Sequence, residues 1–248
     1  MKELQRILSF ARRAISDYDM IKSNDKVAVG ISGGKDSMSL LAAMAELRRF
    51  YPVPFTLCAI TVDMGFKNAD FSPVAAYCER LNVEYRVVKT DVAEIIFDVR
   101  KEKNPCSLCA KMRRGVLHST AKEMGATRVA LGHHFDDAVD TFMLNLFFEG
   151  RIGCFSPVSY LSRADLYLIR PLIYAQEKDI RYFMNHSSLP VIHSPCPANH
   201  NTERERMKQT LARLEKDYDG LRHRIFGAMC RGEIDGFRAF DGKAEEDK

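Results

Sequence analysis

Short apolar runs alternate with segments of helical periodicity over about the first 175 residues. The runs predict five strands: KVAVGI near 26–31, FTLCAITV near 55–62, EYRVVK near 84–89, RVALGH near 128–133 and LYLIRPL near 166–172. The intervening segments repeat apolar residues every three to four positions, and KMRRGVLHSTAKEMG ends at Gly125 as a helix C-cap. This alternation predicts an α/β fold with a doubly wound parallel sheet.

The pattern changes after residue 175. It predicts a helix near 176–186, a proline-containing loop from Pro190 to Asn201 and one long charged helix from about 202 to 230. We therefore expect a sheet domain at residues 1–175, which begins with an amphipathic helix. A C-terminal helical segment is expected at residues 176–248.

The composition is that of an ordinary globular protein. Of 248 residues, 46% are apolar and 28% are charged, and no apolar stretch approaches the roughly 20 residues that span a bilayer. Arg12 and Arg13 interrupt the N-terminal segment where a secretory signal needs continuous apolar residues. We therefore expect a cytoplasmic protein without a membrane partner.

The net charge of +4 is too small to indicate a nucleic-acid partner, but its distribution is uneven. Residues 100–128 contain eight basic residues and only two acidic ones. The basic residues are Arg100, Lys101, Lys103, Lys111, Arg113, Arg114, Lys122 and Arg128. Such a segment is either a solvated helix face or a surface that contacts a phosphate backbone.

The turn after the first predicted strand has the residue types of an anion site. It consists of Ser32, Gly33, Gly34, Lys35, Asp36 and Ser37. The two glycines leave room for an anion at the start of a helix, the hydroxyls can donate hydrogen bonds and the lysine adds positive charge. The aspartate suits Mg²⁺ or a helix cap. Because the spacing differs from that of a Walker A loop, the turn predicts another kind of phosphate cradle, or a plain strand-to-helix turn.

Polar residues follow two other predicted strands at the same edge of the sheet. They are Asp63 in DMGF and, after the fourth strand, Gly132, His133, His134, Asp136 and Asp137. Doubly wound folds bind ligands at the carboxyl ends of their strands, so these residues should lie near the glycine turn. The carboxylates there could hold Mg²⁺ or accept a proton, or they could simply cap the following helix.

Three of the seven cysteines have spacings that suit a metal site. Cys106 and Cys109 form a CxxC pair, and Cys196 lies far along the chain, all three in turn-like contexts. The pair is consistent with half of a zinc site, a redox pair, or two ligands of an iron–sulfur cluster. Zinc would need His193 or His200 as further ligands. Three cysteines match a [4Fe–4S] cluster in which one iron has no protein ligand.

The glycine turn resembles the PP-loop of N-type ATP pyrophosphatases, which split ATP between its α and β phosphates to adenylate a substrate. Further motifs resemble, in order and over most of the chain, the TtcA-like tRNA 2-thiolation enzymes and, more distantly, the TtuA-like ones. They are NPCSLCAKMRRGVL at 104–117, LGHHFDDAVDTFMLNLFFEG at 131–150, RPLIYAQEKDI at 170–180 and HSPCP at 193–197. The chain departs from the TtcA-like pattern at Asn199, where that group usually has a second cysteine.

The resemblance implies a Rossmann-like PP-loop fold and an ATP-dependent tRNA thiolase that adenylates C2 of a cytidine and replaces its oxygen by sulfur. The implied cofactors are ATP, Mg²⁺ and a [4Fe–4S] cluster held by Cys106, Cys109 and Cys196. Arg113, Asp137 and Asp36 are the implied catalytic residues. The implied cofactor-binding residues are Ser32, Gly33, Gly34, Lys35, Asp36, Ser37, Asp63, Gly132, His133 and Asp136.

The resemblance also implies partners. They are tRNA, a sulfur donor that is either a cysteine desulfurase or sulfide, and a second copy of the chain in a homodimer. The long C-terminal helix either packs on the domain as an amphipathic helix or, as the resemblance implies, adds tRNA contacts through Arg204, Lys208 and Arg222. The alternatives are a PP-loop ligase or amidotransferase related to tRNA lysidine synthetase, without an iron–sulfur cluster, and a non-catalytic ATP-binding redox sensor.

Overall fold

The computed structural model of the chain describes residues 2–66, 69–100, 105–192, 196 and 203–240. Six strands form one sheet: β1 (Asp25–Gly30), β2 (Phe55–Asp63), β3 (Glu84–Lys89), β4 (Arg128–Ala130), β5 (Val158–Leu161) and β6 (Leu166–Ile169). Their order across the sheet is β3-β2-β1-β4-β6-β5, and all neighbours are parallel except β5 and β6. The predicted α/β fold with a mostly parallel sheet is confirmed.

The helices are α1 (Lys2–Asp17), α2 (Lys35–Leu47), α3 (Ser72–Arg80), α4 (Pro105–Glu123), α5 (Phe135–Phe148), α6 (Glu177–Asn185), α7 (Glu203–Asp217) and α8 (Leu221–Arg231). A π-helix (Glu94–Val99) and a 3₁₀ turn (Ile234–Gly236) complete the regular structure of the described chain. None of the described helices is long and apolar enough to cross a membrane.

The chain divides into two compact units, and each combines two stretches of sequence. The sheet unit comprises residues 1–135 and 158–202, and the helical unit comprises residues 136–157 and 203–248. The predicted boundary at residue 175, between a sheet domain and a C-terminal helical segment, stays a prediction.

The core of the sheet unit explains why its strands are apolar throughout. Val27, Ala28 and Val29 of β1 are fully buried, because helices cover both faces of the sheet. On one face, α4 packs with Leu117 and Ala121 against a cluster that includes Ala28. Helices α1, α2 and α6 pack against one another. The central strands are thereby held so that their carboxyl ends open on one edge.

Four local expectations differ from the structure. Strand β5 was not predicted, because it has only four residues and it pairs as the antiparallel neighbour of β6. The predicted helix from 202 to 230 is two helices, since Gly220 has a φ of +72° and interrupts it. Cys106 and Cys109 do not lie in a turn, because α4 already begins at Pro105. The π-helix was also not predicted.

Arg128 does not belong to the predicted basic surface. Its side chain is buried, its Nε lies 2.7 Å from Asp25 Oδ2, and its guanidinium stacks on Tyr167 at 4.1 Å. Thr127 donates a second hydrogen bond to Asp25 at 2.6 Å. Burial alone would raise the pKa of Asp25, but the bonds from Thr127, the Lys22 amide and Arg128 lower it. Arg128 is therefore a structural residue at the start of β4.

Candidate active site

Residues 31–34 join β1 to α2. The predicted phosphate turn, residues 32–37, consists of most of this connection and the first residues of α2. The backbone N–H of Ser32 donates to Ser37 Oγ at 3.2 Å, and the two serine hydroxyls lie 3.2 Å apart. Ser37 Oγ in turn donates to the carbonyl oxygen of Gly34 at 3.0 Å. The serines thus brace the turn from within. The first backbone N–H groups of α2 lie at the N-terminus of the helix, where the helix dipole favours an anion.

The two glycines have different roles in this turn. Gly33 has a φ of +83°, and a β-carbon there would lie 2.7 Å from the β-carbon of Ile192. Gly34 has a φ of −76°, and a β-carbon there would meet only Ser32 Oγ, at 3.5 Å. The sequence prediction that both glycines make room for an anion therefore needs a correction. Gly33 makes room for Ile192, while Gly34 borders open space.

Gly132 brings the end of β4 against the start of α2. A β-carbon at residue 132 would lie 3.0 Å from the carbonyl carbon of Asp36 and 3.1 Å from the amide nitrogen of Ser37. Contacts this short are tighter than a β-carbon usually makes, so glycine favours this approach. The topology explains the meeting, since β1 and β4 are neighbours and the chain leaves β1 toward β2 on the other side. This is the switch point where doubly wound sheets bind ligands.

Lys35 is held by two carboxylates. Its Nζ lies 2.9 Å from both carboxylate oxygens of Asp36 and 3.2 Å from Glu177 Oε1. Burial alone would lower the pKa of Lys35, but Asp36 and Glu177 together raise it. His134, which is buried, places Nε2 3.7 Å from Asp36 Oδ1. The structure therefore brings a cation, two carboxylates and an imidazole together at the first turn of α2.

Asp63 lies at the end of β2, next to β1 in the sheet. Its Oδ1 accepts a hydrogen bond from the N–H of Gly65 at 3.0 Å, and its carbonyl oxygen accepts one from Thr90 Oγ1 at 2.8 Å. Gly65 has a φ of +84°, which permits the tight turn after the strand. Asp63 is thus at the predicted edge of the sheet. Its contact with nucleotide, like that of half-buried His133, stays a prediction.

Asp136 and Asp137 belong to the helical unit and lie in the first turn of α5, after Phe135. Arg222 Nη1 lies 3.4 Å from Asp136 Oδ1 and 2.8 Å from Asp140 Oδ1, and Arg204 Nη1 lies 3.6 Å from Asp137 Oδ1. Burial raises the pKa of Asp140, and Arg222 opposes that rise. Arg222 is therefore an internal partner of carboxylates rather than an exposed tRNA contact. The catalytic and Mg²⁺-binding roles of Asp136 and Asp137 stay predictions.

The CxxC pair occupies the first turn of α4, with Cys106 exposed and Cys109 half-buried. Burial raises the pKa of Cys109, the Arg113 guanidinium lowers it, and the thiols of Cys196 and Cys106 raise it further. Cys109 therefore lies within electrostatic range of both other cysteines. Within the described ranges, no three histidine, cysteine, aspartate or glutamate side chains already have the arrangement of a metal site. His193 and His200, the possible zinc ligands, lie outside the described residues.

The three thiols nevertheless have the chemistry that a thiolate-bound cluster requires. Cys106 and Cys109 lie on α4, and Cys196 comes from a distant part of the chain. Cys109 interacts electrostatically with the other two thiols and with the Arg113 guanidinium, which lies one helical turn further along α4. Three thiolates are a donor set that an iron–sulfur cluster can use. Arg113 itself is exposed on α4.

Two of the eight basic residues of the predicted surface, Lys122 and Arg128, have acidic partners within the protein. Lys101 and Lys103 lie outside the described residues, Arg128 is buried, and Lys122 pairs with Asp165 at 3.0 Å. The exposed basic residues on α4 include Lys111, Arg113 and Arg114.

Sequence reasoning missed two residues that contact the phosphate turn. Glu177 and Ile192 both contact it, yet neither follows a strand or belongs to a glycine-rich motif. For Glu177, the available signal was the motif RPLIYAQEKDI, which resembles the TtcA-like enzymes. For Ile192, the sequence offered none, because a backbone-to-backbone contact leaves no mark on residue type.

Comparison with known proteins agrees with this site. The PP-loop domain family matches residues 5–215. The tRNA-cytidine(32) 2-sulfurtransferase of Aliivibrio fischeri strain MJ11 is 36% identical over 236 residues, which cover 93% of this chain and 77% of the relative. The protein of that name from Syntrophotalea carbinolica is 36% identical over 228 residues, covering 91% and 88%. The one from Ralstonia nicotianae is 38% identical over 226 residues, covering 90% and 72%.

A solved structure extends the comparison. The U34-tRNA thiolase NcsA from Methanococcus maripaludis, determined with its [4Fe–4S] cluster, is 26% identical and superposes with a TM-score of 0.74 over 90% of this chain and 77% of its own. The family predicted from the sequence motifs is confirmed. The chain belongs to the PP-loop proteins and, among them, to the tRNA-cytidine(32) 2-sulfurtransferase family.

Proposed function

We propose that this protein is an ATP-dependent tRNA thiolase that acts on C2 of a cytidine, at position 32 as in its named relatives. ATP adenylates the C2 oxygen and releases pyrophosphate. Sulfur at the oxidation level of sulfide then attacks C2, and the C2–O bond breaks as AMP departs. The carbonyl oxygen is exchanged for sulfur without net oxidation. Adenylation is needed because the oxygen of an amide-like carbonyl is a poor leaving group and AMP is a good one.

The observation that carries this proposal is the contact between the phosphate turn and the chain that leads to Cys196. The N–H of Ile192 donates to the carbonyl oxygen of Gly33 at 2.9 Å, four residues before Cys196. Cys196 lies in electrostatic range of Cys109. A site for ATP and a set of three thiols therefore share one unit of the fold, as adenylation followed by sulfur transfer requires.

The first turn of α2 would hold the triphosphate. Its free N–H groups and the open side of Gly34 suit phosphate oxygens, and Lys35 would offset charge on the departing pyrophosphate. Asp36 would bind Mg²⁺, and this requires it to give up Lys35, which lies 2.9 Å away. Glu177 would then remain as the partner that keeps Lys35 in place.

Cys106, Cys109 and Cys196 would hold the cluster. A [4Fe–4S] cluster bound by three thiolates offers one iron at which a sulfur atom can bind. Arg113, one turn from Cys109, would place a positive charge beside the anionic thiolates and the adenylated base. The family relationship and the cluster in the thiolase neighbour support this assignment.

The exposed basic residues of α4 would contact tRNA, because they lie on the helix that also carries two of the thiols. Delivery of sulfur and docking of the anticodon loop would then use one surface. We further propose a cytoplasmic homodimer, with free sulfide as the sulfur donor, or a cysteine desulfurase whose persulfide is reduced to the sulfide level by a thiol reductant.

Two measurements test the proposal. Anaerobically reconstituted protein should release pyrophosphate from ATP only with unmodified tRNA, and nucleoside mass analysis should find 2-thiocytidine in the product. A lysidine synthetase-like enzyme would form pyrophosphate without a cluster and would need an amine. A redox sensor would bind ATP and release no pyrophosphate. Either result would overturn the assignment.

A further inference from the structure

The stretch of chain from α6 to Cys196 contacts the phosphate turn at two points. At the start of α6, Glu177 Oε1 lies 3.2 Å from Lys35 Nζ. After α6 ends at Asn185, the N–H of Ile192 donates to the carbonyl oxygen of Gly33 at 2.9 Å. The same stretch therefore contacts the turn through a side chain and through the backbone before it reaches the third cysteine.

The second contact is close because Gly33 has no side chain. A β-carbon on Gly33 would lie 2.7 Å from Ile192 Cβ and 3.2 Å from both Cγ1 and Cδ1. Ile192 thus covers one side of the Gly33 peptide. The other side of the turn, at Gly34, borders open space, where a phosphate can approach the N–H groups. The phosphate turn therefore packs against Ile192 at Gly33 and is open to an anion at Gly34.

This anchor restricts Cys196. Four residues of fully extended chain reach about 13–14 Å, so the position of Ile192 limits where the thiol can lie. Cys196 is half-buried and interacts electrostatically with Cys109, which belongs to another element. Moving Ile192 away from Gly33 would release this limit.

We propose that Ile192 is a positioning residue that joins the phosphate turn to Cys196, so that nucleotide in the turn restricts the Cys196 thiol. The inference rests on the proposed binding of ATP, but not on thiolation. A triphosphate that hydrogen-bonds to the N–H groups of the turn orders the Gly33 peptide, against which the Ile192 side chain packs and whose carbonyl accepts the Ile192 N–H. The coupling must act in both directions, so fixing Cys196 would also favour nucleotide binding.

Thiol alkylation of the full-length, reduced, cluster-free protein tests this without any need for activity. Mass spectrometry of peptides follows the rate at which iodoacetamide modifies Cys196, with exposed Cys106 as the reference thiol. Rates are compared without nucleotide and with Mg²⁺-ATP at about ten times its measured Kd. We expect ATP to slow alkylation of Cys196 at least about fivefold relative to Cys106, the lower end of the coupling typical of linked sites.

Two glycine variants separate the anchor from simple shielding by ATP. Ile192→Gly removes the packing on Gly33, and Val191→Gly adds equal backbone freedom at the neighbouring residue, which is exposed. We expect the ATP effect to persist in V191G and to disappear in I192G. Equal protection in both variants would overturn the inference, as would no protection in the wild type despite measured ATP binding. Failure of the wild type to bind ATP would instead overturn the proposed function.

A third variant serves if I192G cannot bind ATP. Ile192→Ala retains the β-carbon and loses Cγ1 and Cδ1, two of the three atoms nearest Gly33. We expect I192A to show a smaller ATP effect than V191G. Protection of Cys196 in I192A equal to that in V191G would contradict a role for the Ile192 side chain.

Discussion

Glu177 Oε1 lies 3.2 Å from Lys35 Nζ, and this contact joins the first residue of α6 to the first residue of α2. Lys35 also pairs with Asp36, and the two carboxylates raise the pKa of the lysine although its burial would lower it. The Lys35 ammonium therefore keeps its positive charge before any nucleotide binds.

Removing the charge of Glu177 tests this contact. Glu177→Gln leaves Lys35 with Asp36 as its only charged partner among the contacts described for it, so the lysine should compete with Mg²⁺ for Asp36. We expect kcat/KM for ATP to fall about tenfold, equivalent to ~1.4 kcal/mol. The matched control is Arg181→Gln, which removes the exposed partner of Glu177 at 2.9 Å and should change kcat/KM by less than about fivefold. Equal losses in the two variants would show that Glu177 does not act through Lys35.

Adding a methyl group to Gly33 should lower stability, whereas adding one to Gly34 should weaken ATP binding. Gly33→Ala places a β-carbon at a φ of +83° and against Ile192, so we expect a loss of about 1–3 kcal/mol in the free energy of unfolding. Gly34→Ala meets open space, so stability should change by less than about 1 kcal/mol while ATP binding weakens. Thermal melts and ATP titrations of both variants check this. A stable G33A protein would contradict the close packing of Ile192.

Iron content tests the three thiols. Serine in place of Cys106, Cys109 or Cys196 should abolish cluster binding, because each would supply one of only three thiolates. Anaerobically purified wild-type protein should contain about four iron atoms and four labile sulfides per chain. Cys230→Ser is the control, since this half-buried thiol lies in the helical unit. Stoichiometric zinc without iron in the wild type would overturn the cluster assignment.

Salt dependence of tRNA binding tests the α4 surface. Lys111→Gln with Arg114→Gln removes two exposed charges, and each lost phosphate contact should lower the slope of log K against log salt by about 0.7–0.9. The charge-matched control is Arg12→Gln with Arg49→Gln, which are exposed residues of α1 and of the turn after α2. If both double variants shift the slope equally, the effect is one of net charge and α4 is not the docking surface. ATP affinity should stay unchanged in either case.

The buried pair of Asp25 and Arg128 should make the protein sensitive to acid. The pKa of Asp25 is lowered in the folded protein, so its ionised form adds stability above the ordinary value near 3.8. That contribution is lost as pH falls from about that value through the lower folded pKa. Asp25→Asn should cost about 1–3 kcal/mol at pH 7 and progressively less as the pH falls through that range. Urea melts of both proteins across this range would show the two stabilities converging; a constant difference would contradict the lowered pKa.

Much of the sheet unit is readable from local sequence. Uniformly apolar strands are required when helices cover both faces of a sheet, so β1, β2 and β4 could be identified from their residues alone. The glycine turn and the CxxC pair were equally visible, because anion binding and metal binding demand particular residue types at short spacing. Their family relationship followed from the order of these motifs along the chain.

Only the tertiary structure decided which distant residues meet. It paired Glu177 with Lys35, laid Ile192 on Gly33, and buried Arg128 between Asp25 and Tyr167. Each of these contacts joins elements far apart in the chain, and a charge or an apolar side chain has the same local signature whether its partner is water or a buried neighbour. Periodicity reports which face of an element is apolar, but the crossover connections of the sheet determine what that face and its ends will touch.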